Sequence, residues 1–175
     1  MTDLASPVLA AAPIDAAHPH YRWISLAMFA GGFATFSMLY SVQALMPLFA
    51  QTFHLSAAVA SMTLSASSLT LALCMIPAGI LSDRIGRKPL MLFSLVGSSF
   101  LTLLGSVSPG LETLILSRAL LGVTLAGLPA VAMAYLSEEI DPPGLGFAMG
   151  LYVGGTALGG MLGRVGMSAM TEFWG

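Results

Sequence analysis

Charge is what this chain has least of: charged residues make up 8% of it, against about a quarter in an ordinary soluble domain. Six Lys and Arg against eight Asp and Glu leave a formal net charge of -2. That balance provides no basic patch for nucleic acid and no acidic field to steer a cation. Cysteine is almost missing. Cys74, alone inside an apolar run, supplies neither a disulfide framework nor a metal knuckle and reads as a small buried side chain. There is no nucleophile and base pair, no phosphate-binding glycine loop and no metal-ligand spacing, and His18, His20 and His54 fall at or beyond the ends of apolar runs. Enzyme chemistry, a cofactor and a metal are therefore not expected. No Lys or Arg precedes Arg22, and a cleaved signal peptide needs a basic region ahead of its apolar core.

What the chain has in quantity is apolar length. Hydrophobic residues make up 57% and the mean hydropathy is +0.89, the composition of an integral membrane protein. A helix needs about 20 apolar residues to cross a bilayer core. Five runs reach that length, at about 23–46, 57–81, 89–107, 113–136 and 145–168. Residues 1–21, with Pro7, Pro13 and Pro19 and an apolar patch too short to span, read as a mobile tail. The expected fold is an all-α membrane protein of about five transmembrane helices in a lipid bilayer.

Basic residues collect on the cytoplasmic side of membrane proteins. Arg22 puts the amino terminus inside, and Arg84, Arg87 and Lys88 put the second loop inside; segments 47–56 and 108–112, which then face outward, contain no Lys or Arg. Five crossings would leave Gly175 outside. The loop from Ser137 to Gly144 carries Glu138, Glu139 and Asp141 and no base, which suggests that its carboxylates answer the basic loop nearby.

That basic loop, Gly79-Ile-Leu-Ser-Asp83-Arg84-Ile-Gly86-Arg87-Lys88, resembles the signature loop between the second and third helices of the major facilitator superfamily of secondary transporters. In the fourth span, Ile115-x-x-Arg118-x-x-Leu121-Gly122 is similar to that family's Arg-containing motif, with Leu121 where the pattern often has Gln. In the fifth, Gly155-Thr156-Ala-Leu-Gly159-Gly160 resembles the motif of its proton-coupled antiporters, with Thr156 in the place of proline. Ala134-Tyr-Leu-Ser-Glu138-Glu139 and Tyr40-Ser-Val-Gln43-Ala-Leu-Met-Pro47 look like bacterial efflux-type members. The resemblance covers about residue 22 to the end. It implies an inner-membrane exporter of small organic molecules that works by alternating access of two six-helix bundles, coupled to a proton gradient. This chain would be an incomplete amino-terminal bundle, requiring a carboxyl-terminal half or a second chain. The alternative is a truncated, non-transporting helix bundle or assembly subunit.

The residues also carry physical expectations. Gly79 and Asp83 share a face of the last turn of the second helix, so Gly79 would admit a neighbouring helix and Asp83 would accept from its end or from an Arg. Gly86 permits a sharp turn. Arg87 and Lys88 can pair with Glu138 and Glu139, forming with Arg84 a conformational latch; otherwise these bases only set topology. Arg118 lies inside the fourth span, where a cation costs about 2.5–3.5 kcal/mol at mid-membrane. Either it works in the substrate or proton pathway with Tyr40 and Gln43, as the resemblance implies, or it snorkels outward toward Glu112. Arg164, nearer the outer end, snorkels more easily. Two series at spacing four, Gly146, Gly150, Gly154 and Gly155, Gly159, Gly163, make a bare strip on the fifth span, either for static packing or as a pivot, with Gly122 and Gly160 as further packing points. Ser61, Thr63, Ser65, Ser67, Ser68 and Thr70 read as interhelical hydrogen-bond donors. No carboxylate lies clearly at mid-membrane, so proton coupling rests on the resemblance alone.

Overall fold

Five long apolar runs build five membrane spans, two of which are broken by turns. The computed structural model describes residues 13–52 and 54–174, which form α1 (Pro19–Tyr40), α2 (Val42–Thr52), α3 (Ala57–Ile85), α4 (Arg87–Ser106), α5 (Leu111–Leu125), α6 (Gly127–Glu139) and α7 (Pro142–Trp174). The spans are Pro19–Thr52, Ala57–Ile85, Arg87–Ser106, Leu111–Glu139 and Pro142–Phe173. Pro19 opens α1, where its missing N–H costs nothing. Ser56 caps α3 by accepting from the Val59 N–H at 3.3 Å. Gly86, at φ 90, separates α3 from α4 with one residue, a backbone conformation that a residue with Cβ adopts only under strain.

The first span breaks at Ser41 and continues through Pro47 to Thr52, further than the expected end near residue 46. The fifth span runs past its expected end near residue 168, since α7 continues to Trp174; no Gly or Pro interrupts Ser168-Ala-Met-Thr-Glu-Phe-Trp174. Of the expected tail, residues 1–12 lie outside the described residues. From Ile14 onward the chain is docked: Ile14 forms a parallel bridge to Ile140.

The fourth span breaks at Ala126, ahead of Pro129, which has no N–H to give the Leu125 carbonyl. Ser94 of α4 repairs the gap. Its hydroxyl donates to the Leu125 oxygen at 3.3 Å and accepts from the Leu128 N–H at 3.2 Å. In hydrocarbon, with no water to satisfy freed backbone groups, such side-chain repair is what makes a proline break tolerable.

With lipid as apolar as leucine, close packing rather than the hydrophobic effect holds the spans together. A Cβ at Gly155 or Gly159 would run into the carbonyl oxygens of Phe29 or Phe33, and one at Gly163 would come within 2.8 Å of Ser37. The strip therefore brings the α7 backbone onto the α1 backbone, where the Ser37 hydroxyl donates to the Gly159 carbonyl at 2.9 Å. The other series, Gly146, Gly150 and Gly154, meets nothing within 4 Å. Only one of the two series of the expected strip is a packing seam. Gly122 makes a second crossing, against the Ser67 carbonyl and Thr70 hydroxyl of α3. There Ser67 donates to the Arg118 carbonyl at 2.9 Å and Thr70 to the Ala119 carbonyl at 2.8 Å. Buried residues fill 56% of the most apolar stretch of the fourth span but 6% of the second, so α5–α6 is central and α3 lies at the margin.

Candidate functional site

Two groups of charges stand out among the described residues: a cluster at one end of the bundle, and two arginines inside the spans, Arg118 and Arg164. At the cluster, the Arg87 guanidinium grips Glu138 with two parallel bonds, Nε to Oε2 at 2.7 Å and Nη2 to Oε1 at 2.6 Å. This is the fork geometry that only arginine provides. Arg87 Nη1 also donates to the buried Ser82 hydroxyl at 3.3 Å, which in turn donates to the Gly79 carbonyl at 2.6 Å. Lys88 pairs with Glu139 at 2.9 Å and lies 5.5 Å from the Tyr135 ring centroid. Short helix ends make this possible. The tight turn at Gly86 sets Arg87 and Lys88 at the start of α4, and α6 ends with Glu138 and Glu139.

Asp83 and Arg84 stand apart from these pairs. Asp83 is 70% exposed and reaches Arg87 only at 3.8 Å, a contact worth little in water. Arg84 is exposed and forms no ion pair among the described residues. Gly79 admits no neighbouring helix here: a Cβ on it would meet nothing within 4 Å. The carboxyl end of α3 is the open edge of the cluster.

Arg118 is 8% exposed and donates from Nη1 to the Met38 carbonyl at 3.2 Å. Met38 is in the last turn of α1, where carbonyls lack helical partners and the helix dipole is negative. The Ser41 hydroxyl donates to the same oxygen at 3.2 Å. The guanidinium thus faces inward to the break in the first span rather than snorkelling toward Glu112. Neither Tyr40 nor Gln43 joins it. Tyr40 lies under the Arg164 guanidinium, 4.5 Å from Cζ to ring centroid, and its ring edge is where a Gly160 Cβ would come within 3.1 Å. Gln43 is half-buried on α2, past the break, and its side chain makes no hydrogen bond among the described residues.

Two participants, Tyr135 and the Met38 carbonyl, and one pairing, that of Arg164 with Tyr40, were not expected from the sequence. Tyr135 stands one turn before Glu139 on the same helix face, a spacing that could have marked it. Arg164 pairs with Tyr40 through tertiary packing along α7, which spacing within one span does not reveal. The Met38 carbonyl has no side-chain signature.

A family model described as Major Facilitator Superfamily matches residues 26–175 of this chain. The chain belongs to the Major Facilitator Superfamily. Among curated relatives it is 46% identical over 155 residues to the MFS-type transporter YybF of Bacillus subtilis (strain 168), an overlap covering 89% of the chain and 38% of that protein. It is 43% identical over 156 residues to the inner membrane transport protein YnfM of Escherichia coli (strain K12), covering 89% of the chain and 37% of YnfM. It is 30% identical over 161 residues to the multidrug efflux pump LfrA of Mycolicibacterium smegmatis, covering 90% of the chain and 32% of LfrA. The chain therefore spans less than two fifths of the length of these Major Facilitator relatives. No solved structure matches it significantly. Membership in this superfamily and five apolar spans make it a multi-pass membrane protein.

Proposed function

We propose that this chain is the amino-terminal bundle of a secondary active transporter that exports small organic molecules across a bacterial inner membrane by alternating access, driven by a proton gradient. The observation that carries the reading is the doubly hydrogen-bonded Arg87–Glu138 pair, which ties the α3–α4 turn to the end of the fourth span within the region that matches the superfamily. Arg87–Glu138 is bidentate but its carboxylate is 55% exposed, and Lys88–Glu139 is a single contact with the ammonium in water, so water can replace either partner and both pairs can be made and broken within a transport cycle. Gly79, Asp83, Arg84, Gly86, Arg87, Lys88, Glu138 and Glu139 form the latch, with Asp83 and Arg84 at the open edge facing a partner bundle. That partner is the remaining portion of a longer protein or a second chain. Arg118 is the buried charge of the pathway, and Tyr40 with Arg164 contributes a polar site between the first and fifth spans. The packed glycines Gly155 and Gly159, with Gly122 and Gly160 at adjoining contacts, allow α7 and α1 to shift as a pivot. The basic turn and Arg22 support a cytoplasmic position for this end and for the amino terminus. Efflux fits the described activity of LfrA, and the inner membrane fits the description of YnfM.

A non-transporting assembly subunit is the second reading, favoured by the apolar face of α3, where Leu69, Leu73, Ile76 and Ile80 are 59–74% exposed. Everted vesicles separate the two. In energised vesicles carrying this chain together with its partner bundle, ethidium or another member of a panel of amphiphilic compounds should release part of the accumulated protons, read as recovery of a quenched acridine dye. No recovery beyond empty vesicles for any member of the panel, with the protein inserted, would favour the subunit.

A further inference from the structure

The two residues joining the fourth and fifth spans, Ile140 and Asp141, leave backbone groups that the helices cannot satisfy. The Glu139 carbonyl ends α6, and the Asp141 N–H precedes α7. Both are taken by one residue near the amino terminus. The Ile14 N–H donates to the Glu139 carbonyl at 2.8 Å, and the Asp141 N–H donates to the Ile14 carbonyl at 3.1 Å. Seven residues on, the buried Tyr21 hydroxyl donates to the Gly144 carbonyl at 2.8 Å. A Cβ on Gly144 would press within 3.0 Å of the Tyr21 ring, so the fit is close. Ile14 also packs against the apolar cluster that contains Tyr21, Tyr135 and Ile140.

Glu139 is held at both ends: its carbonyl by Ile14 and its carboxylate by Lys88. We propose that residues 13–21 are a strap that positions the acidic end of α6, with Ile14 and Tyr21 as positioning residues for the Glu138 and Glu139 carboxylates. A backbone bond to a two-residue link fixes the direction in which α6 ends, and with it the direction in which both glutamates project. The strap joins the ends of the first, fourth and fifth spans into one body. The α3–α4 turn meets that body through the Arg87–Glu138 and Lys88–Glu139 ion pairs, while Leu90 and Met91, one turn into α4, are packed in the same apolar cluster, so the charged turn is the part whose position depends on the aim of the two glutamates. Its meaning for transport rests on the latch reading proposed above, but the geometry does not.

Hydrogen exchange on the whole protein in lipid nanodiscs tests this without measuring transport. The variants are Tyr21→Phe, which removes one hydroxyl, and a deletion of residues 2–15. Exchange across 137–145 should rise about fivefold to tenfold, the factor expected for one lost hydrogen bond. Exchange across 82–90 should rise with it, because the glutamates lose their aim, while 92–104 inside α4 should not change. Faster exchange at 137–145 with 82–90 unmoved would make the strap a local clasp and overturn the proposal. So would an unchanged 137–145. If the deletion fails to fold, Tyr21→Phe decides alone. A latch that proves idle in transport would leave the exchange result standing.

Discussion

Arg118 of the fourth span donates to the Met38 carbonyl of the first, 3.2 Å away, at the turn where the first span breaks. A guanidinium in hydrocarbon needs such an acceptor, and a broken helix end supplies one without a carboxylate. Arg118→Ala removes the cation and leaves the carbonyl to Ser41 alone. Hydrogen bonds to charged groups contribute about 1.5–3 kcal/mol, so a clear fall in thermal midpoint is expected. Transport per inserted molecule should fall at least tenfold. Reduced expression with transport per molecule preserved would assign Arg118 to structure only.

Glycine contacts make a paired prediction. Gly159→Ala drives a Cβ into the Phe33 carbonyl, and overpacking of this kind costs about 1–3 kcal/mol. Gly150→Ala meets open space and removes the helix penalty of glycine, about 0.8–1 kcal/mol. Thermal unfolding in one detergent should therefore show the first variant less stable than the parent and the second equal or more stable. A matching loss in both would mean that Gly150 is also a packed position.

These glycines show where sequence reading stops. Both series have spacing four, so both look like seams; which one packs depends on the rotation of α7 about its axis, set by contacts with α1 that spacing does not encode. The pairing of Arg87 and Lys88 with Glu138 and Glu139 was legible because opposite charges end neighbouring spans and must meet in water. The five spans were legible from apolar length alone. Arg118 was legible as a buried charge, but its acceptor is a backbone oxygen that any residue could offer. The break at Ser41 carries no Gly or Pro, and Pro47 lies beyond it.

Ser94→Ala tests the repair of the fourth span. It removes the donor to Leu125 and the acceptor from Leu128 at once, leaving buried backbone groups unsatisfied at a cost of about 1–3 kcal/mol. The variant should melt earlier, and exchange across 124–130 should quicken while α7 is unaffected. Unchanged exchange there would show that the break is satisfied another way.

Asp83→Asn separates latch from scaffold. Asp83 is 70% exposed and only 3.8 Å from Arg87, so its loss should hardly alter stability, by less than about 1 kcal/mol. Insertion should be normal and proton-linked efflux impaired. Normal efflux would remove Asp83 from the mechanism.

The Arg87–Glu138 pair bears the central claim, and a charge exchange tests it most directly. Proton-linked efflux should fall in Arg87→Glu and in Glu138→Arg, and should be largely restored when the two are combined, because the pair is remade with its polarity reversed. Single variants that transport normally, or a double variant as inactive as either single at equal insertion, would contradict the account.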